Sequence, residues 1–248
     1  MCSVSWVRRR GSLVVVMNRD ERRDRAPGRP PRRWPGRGGG FTAPVDGDAG
    51  GTWIAARDSG VVLALLNHQS SEGAPAPGVP RISRGRLVTA LAEEGGVPDA
   101  ARLRGRGLAS FAPFRLFVIG PRLPPRVFTW TGAALSWRRL DPRAGFLTSS
   151  SWNPRTVIPA RHARFRAFRR AVGMPTRAAL IAFHDQAETP RGPAYAVCMA
   201  RADARTVSRT VVEWRGGRVA MTYRVCPDRR EPGLEAALGG HARGPGQG

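Results

Sequence analysis

The sequence contains no lysine: all 41 of its basic side chains are arginines. Ala, Gly and Pro are abundant as well. That profile points to a GC-rich coding bias, which places arginine where surface lysines would otherwise stand. The acidic residues number 18, so the formal net charge is +23. A charge of that size usually suggests nucleic acid. Here the arginines are scattered along the chain and not gathered on one helix. Their densest run, Arg22 to Arg37, is broken by Pro and Gly. Nucleic acid is therefore not expected as a partner.

Cysteine is also scarce. There are three, Cys2, Cys198 and Cys226, with no CxxC pair. An odd number without paired spacing argues against a disulfide framework and against a cysteine-rich zinc site. Cys198 lies in the apolar run Tyr195 to Met199, which fits a small buried hydrophobe. Long apolar runs are missing too. None approaches the roughly 18 residues that span a bilayer. Leu13 to Met17 is too short for a signal-peptide core, and Asp20 and Glu21 follow closely. These features predict a cytoplasmic protein with no membrane span. Hydrophobic residues make up 41% of the chain, enough to bury a sizeable core.

The visible pattern is strands, then helices, then strands. Val4 to Val7 and Ser12 to Met17 predict an opening hairpin across Arg8 to Gly11. Leu13 to Met17 is apolar on both faces, as expected of a strand covered on both sides. Arg22 to Ala49 reads as one long loop, a lid or a disordered segment. Thr52 to Arg57 and Val61 to Asn67 predict a second hairpin across Asp58-Ser59-Gly60. Gln69 to Pro80 reads as a flexible connection. Ser83 would cap a helix that runs through Leu87 and Leu91 and stops at Gly95-Gly96. Leu116 to Ile119 is a buried strand. Val127 to Trp130 and Ala134 to Trp137 form a hairpin, and Phe146 to Thr148 a short strand. Helices are predicted over Ala160 to Val172 and Thr176 to Gln186. Strands follow at Tyr195 to Met199, Thr206 to Trp214 and Arg218 to Arg224. Consecutive hairpins with grouped helices imply a single α+β domain of antiparallel sheets over residues 1–226, with a flexible tail at 227–248.

Cys2 stands apart because of its position. If Met1 is removed, one residue carries both a thiol and a free α-amine. Such an amine has an ordinary pKa of about 7.7–8.0 and the thiol about 8.5. The amine can then be neutral near physiological pH and serve as base to the adjacent nucleophile. Arg19 could supply a cation that favours thiolate. Asp20 could orient the ammonium, and Asn18 or Asn67 could donate to an oxyanion. Plainer readings stand beside these. Cys2 could be incidental, Arg19 and Asp20 a solvated ion pair, and Asn67 a strand end. Moreover, neighbours on a regular strand face opposite sides, so Arg19 and Asp20 can both reach Cys2 only if the strand ends, twists or bulges there. Gly50-Gly51 permits positive φ and a close backbone approach beside a pocket, or forms an ordinary turn. Trp6 and Trp53 read as core aromatics, with pocket walls as the alternative. The run Ser149-Ser150-Ser151 could bind a polar substrate group but reads better as a cap for the helix after Pro154.

Several short segments occur together in a specific order. The chain begins Met1-Cys2, and the second predicted strand ends Asn18-Arg19-Asp20-Glu21. Gly50-Gly51-Thr52-Trp53, Leu65-Leu66-Asn67, Ser149-Ser150-Ser151-Trp152 and Ala204-Arg205-Thr206-Val207-Ser208 follow. In this combination the sequence resembles the NRDE family, which includes the transport and Golgi organisation proteins. The matches spread over about 224 residues. That family is similar to N-terminal-nucleophile (Ntn) hydrolases of the penicillin V acylase and bile salt hydrolase type. The resemblance implies an αββα four-layer sandwich and a small-molecule amide or acyl substrate. It implies Cys2, Arg19, Asp20 and Asn67 as catalytic residues, with Asn18, Glu21, Gly50, Gly51 and Thr52 as substrate-binding residues. The acylases separate Arg from Asp along the strand, whereas here Arg19 and Asp20 adjoin. No metal and no obligatory cofactor are expected. Some relatives are implicated in haem trafficking, so haem is the alternative ligand, with Cys2, His68, His162, His184 and His241 as candidate donors.

Overall fold

The structure is a computed structural model that describes residues 2–69 and 82–228. The chain opens with a hairpin of β1 (Cys2–Arg9) and β2 (Ser12–Arg22). Next come β3 (Arg29–Trp34), β4 (Phe41–Val45), β5 (Ile54–Arg57) and β6 (Val62–Asn67). Two helices follow, α1 (Arg84–Glu94) and α2 (Ala100–Arg104). The middle strands are β7 (Phe114–Ile119), β8 (Arg126–Trp130), β9 (Leu135–Arg139) and β10 (Ala144–Thr148). Then come α3 (Pro154–Val172) and α4 (Arg177–Asp185), and last β11 (Ala204–Arg215) and β12 (Arg218–Val225).

The strands form two antiparallel sheets. One has the order β10-β1-β2-β11-β12 and the other β3-β4-β5-β6-β7-β8-β9. Alternation along each strand sends one set of side chains between the sheets and the other toward helices. In β2, Leu13, Val15 and Met17 enter the inter-sheet core with Val4, Trp6, Ile54, Leu66 and Phe117. Val16 faces the other way and packs with Phe165, Leu180 and Phe183 of α3 and α4. In β6, Leu63 and Leu65 meet Leu87, Val88 and Leu91 of α1. Strands buried on both faces explain the unbroken apolar runs noted in the sequence. The result is an αββα sandwich of four layers.

Four expectations need correction. The segment read as one loop, residues 22–49, contains β3 and β4, which extend the second sheet to its edge. Its Pro and Arg content is tolerated because β3 is an edge strand, with mostly exposed side chains. Residues 195–199 are not a strand. A 3₁₀ turn at Pro193–Tyr195 leads into an irregular segment, where Ala200 makes only an isolated bridge to Arg205. The first helix of the later pair starts at Pro154, six residues before the predicted start. Proline suits that first helical position because its missing N–H needs no partner there. Ser83 precedes α1 without a side-chain capping bond. The connection predicted at 69–80 lies outside the described residues except for Gln69, and so does most of the tail predicted at 227–248. Among the described residues, no helix is long and apolar enough to cross a membrane.

His184 is buried in the helix-facing layer, where its Nε2 pairs with the Ser5 hydroxyl at 2.8 Å. Burial, with Arg209 adding to the effect, lowers its pKa to about 3. An unfolded histidine titrates near 6.5, so between these values the unfolded chain binds more protons than the folded one. Stability therefore falls as pH drops through this window. From pH 7 to pH 4 the loss from this residue should be roughly 3 kcal/mol. Denaturant midpoints at the two pH values should differ less in His184→Gln than in the wild type. Identical differences would refute this account.

Candidate active site

The opening hairpin sets the site. Register in β1 and β2 places Cys2 directly across from Arg19. Both residues lie on the inter-sheet side of the first sheet. Cys2 is 7% exposed and Arg19 4%. They border a cavity of about 130 Å³, whose wall also includes Asp20, Glu21, Arg25, Asp46, Thr52, Trp53, Asn67, Ser83 and Arg84. The cavity thus draws on both sheets, on the segment between β2 and β5, and on the start of α1.

Arg19 is fixed on three sides. Its guanidinium donates to Asp46 Oδ2 at 2.6 Å and to Glu21 Oε2 at 3.2 Å. It also lies over the Trp53 ring, 4.4 Å from the centroid. Arg25 donates to the same two carboxylates, at 3.1 Å to Glu21 and 2.8 Å to Asp46. Glu21 and Asp46 are therefore bridged by two arginines, and the network crosses from β2 to the chain beyond β4.

Asp20 resolves the facing problem raised by the sequence. It does point away from Arg19, toward the helical layer, as strand alternation requires. Its Oδ1 accepts a 2.6 Å hydrogen bond from Thr206 Oγ1, and Arg161 of α3 approaches Oδ2 at 3.7 Å. Asp20 still borders the cavity because β2 continues to Arg22, past the Cys2·Arg19 pair. Burial raises the Asp20 pKa, against the pull of Arg161 and of the Thr206 hydrogen bond. Arg161 extends the polar chain to Thr148 Oγ1 at 3.2 Å, and Thr148 meets Ser3 Oγ at 2.8 Å. A buried polar chain thus runs directly behind the strand that carries Cys2.

Ser149 makes a contact that the sequence reading missed. The Cys2 backbone nitrogen donates to Ser149 Oγ at 3.0 Å, and Ser149 N–H donates to the Cys2 carbonyl at 2.9 Å. The serine run therefore does not cap α3, whose N-cap is Asn153 in the left-handed region at φ 41°. It holds the backbone of Cys2 instead. Burial raises the Cys2 thiol pKa and keeps the thiol protonated at neutral pH, while the nearby Arg19 acts in the opposite direction.

The other sequence-derived residues separate into two groups. Glu21, Thr52 and Asn67 border the cavity with Cys2, Arg19 and Asp20. Asn18 does not. It faces the helical layer and donates to the carbonyls of His184 at 2.8 Å and Val197 at 3.1 Å, so it ties α4 to the sheet. Gly50 and Gly51 stand behind the wall. Gly50 adopts φ 69°, and its N–H closes a turn on the Asp46 carbonyl. Gly51 passes so close to α1 that an added Cβ would lie 2.5 Å from the Gly85 carbonyl carbon. Together they position Asp46, Thr52 and the start of α1.

The haem donors do not converge. His162 packs edge-on against Phe146, His184 is enclosed with Ser5, and His68 does not border the Cys2 cavity. His241 lies outside the described residues. The thiol of Cys2, held protonated by burial, is a poor sole ligand. Among the described residues, these donors do not fit haem. No cluster of metal-ligating side chains occurs among the described residues.

Two facing antiparallel sheets between helical layers, with the cavity at the start of the first strand, define the fold of the Ntn hydrolases. The chain is similar to penicillin V acylase from Agrobacterium tumefaciens, with a TM-score of 0.55 and 11% identity over 91% of this chain and 86% of that one. It is also similar to a Caenorhabditis elegans orthologue of N-acylethanolamine-hydrolyzing acid amidase, with a TM-score of 0.51 and 12% identity over 85% and 92%. At such identities the likeness concerns fold alone. The Transport and Golgi organisation 2 family matches residues 1–156, and the protein belongs to that family. No curated protein sequence matches the chain.

Of the residues missed, Arg161 left the clearest sequence signal. It occupies the stripe Val157, Arg161, Phe165, which turns the same helix face inward, so an arginine stands where an apolar residue is expected. Arg161 and Asp20 are each 1% exposed. Removing one charge strands the other in a region that water does not reach. Arg161→Met or Asp20→Asn alone should lower unfolding stability by about 3–5 kcal/mol. The double variant should recover much of that loss. Additive losses in a double-mutant cycle would show that the two charges do not act as a pair.

Proposed function

We propose that the protein is an Ntn-type cysteine amidohydrolase that cleaves a small amide or acyl substrate through Cys2. One observation carries this reading. Cys2 borders a polar cavity, while its nitrogen is held by Ser149 Oγ at 3.0 Å. Removal of Met1 would turn that nitrogen into the α-amine, already provided with an acceptor that orients it.

In this reading the neutral amine takes the thiol proton as sulfur attacks the substrate carbonyl. The raised thiol pKa makes such a base necessary at neutral pH, because little thiolate exists at rest. Negative charge develops on the carbonyl oxygen, and the Asn67 side chain on the opposite sheet is the amide donor that borders the same space. Collapse breaks the C–N bond, and the ammonium returns its proton to the leaving amine. Water, deprotonated by the same amine, then hydrolyses the thioester. This step releases the acid and restores the thiol. Arg19, clamped by Asp46 and Glu21, supplies fixed positive charge opposite the thiol. Asp20 and Arg161 hold the strand from behind and act as positioning residues.

The fold and the family match support this reading, but the same fold serves more than one activity. The test is intact mass of the purified chain before and after a thiol-directed acylating probe. The expected mass lacks Met1 and gains one acyl group, which peptide mapping places on Cys2. Cys2→Ala should lose both the adduct and any turnover. A retained initiator methionine, or equal labelling of Cys198 and Cys226, would overturn the proposal.

A further inference from the structure

The cavity arginines are not equivalent. Arg19 and Arg25 are paired with Glu21 and Asp46, and Arg25 also with Asp48. Asp20 is matched by Arg161. Arg84, the first residue of α1, borders the same cavity as Cys2. Among the described residues, no carboxylate lies within ion-pair distance of it. Its one hydrogen bond there runs from Nη1 to the Pro113 carbonyl at 3.0 Å. A guanidinium has five N–H donors in a planar fork, so most of this one remains available. Burial lowers its pKa, while the Glu21 carboxylate acts the other way. A partly desolvated cation that borders the same cavity as the nucleophile, with no counter-ion among the described residues, is shaped for an anion supplied from outside. Ser83, beside it in the wall, makes no capping hydrogen bond to α1, so its hydroxyl is not committed there.

We propose that Arg84 is a specificity-determining residue that pairs with a carboxylate on the substrate. The preferred ligand is then an N-acyl compound with a carboxylate a few bonds from the scissile carbonyl. This inference rests on the amidohydrolase reading for the location of that carbonyl, but the affinity it predicts can be measured without turnover. Net charge alone draws anions to this protein, and salt screens that general attraction more than a partly buried contact.

The test uses the full chain with Cys2→Ala, so that ligand is bound and not consumed. N-hexanoylglycine and N-hexanoylglycinamide differ only in carboxylate against carboxamide. Calorimetric titration in high salt should show the acid binding at least roughly tenfold more tightly, from charge-assisted hydrogen bonding to Arg84. Adding Arg84→Met should abolish that preference, with the affinity for the amide unchanged. Arg84→Lys should keep part of it. Equal binding of acid and amide, a preference that survives Arg84→Met, or no binding of either would overturn the proposal. A thermal melt of each variant confirms folding. Glycine release by the wild type is read separately. Its absence with the binding preference intact would sink the hydrolase reading and leave the anion site standing.

Discussion

The pairing of Cys2 with Arg19 across the opening hairpin is the constraint on which the rest of the site depends. In an antiparallel pair, a slip of one residue turns every side chain to the other face. Such a slip would send Cys2 into the helical layer and Val7 and Val16 into the inter-sheet core. The hairpin resists it because Val4, Trp6, Val15 and Met17 all bury on the same side as Cys2. The apolar core between the sheets therefore also aims the thiol. Ser149, on the other side of β1, fixes the end of that strand through its hydroxyl, which accepts from the Cys2 N–H, and its own N–H, which donates to the Cys2 carbonyl.

Around this pair the charges are arranged in opposed sets. The chain as a whole is strongly positive, yet most of the charges around its cavity are held in ion pairs. Arg19 and Arg25 share Glu21 and Asp46, and Arg161 answers Asp20 from the far side of the sheet. These pairs rely on geometry for their value, since each buried charge would be expensive alone. Asp46 reaches the site only because the segment after β2 folds back as β3 and β4 and turns through Gly50. What first looked like a loose lid is thus a structural wall that carries one of the two clamps on Arg19.

The family match and the Ntn-hydrolase fold agree with one another, and they bear on function in different ways. The fold supplies a place for an N-terminal nucleophile between two sheets. The proposed chemistry rests on particular side chains, among them Cys2, Ser149 and Asn67. The described histidines that would serve a haem carrier, His68, His162 and His184, do not border the cavity. In the proposed reading, Arg84 would distinguish among such substrates by charge.

The sequence by itself determined the layered antiparallel architecture, since runs apolar on both faces at β2 and β6 can exist only under cover from two sides. Ordered short motifs likewise made Cys2, Arg19, Asp20, Glu21, Thr52 and Asn67 legible as neighbours. Only the tertiary structure decided that Arg19 and Asp20 serve opposite faces, because a strand's alternation is local while the partners that use each face are remote in sequence. It also assigned Asn18 to the helical layer, made Ser149 the acceptor for the Cys2 nitrogen, and brought Asp46, Arg84, Arg161 and Thr206 to the site. Those four lie in separate segments, and the distance between segments is set by packing of sheets and helices, which no local pattern encodes.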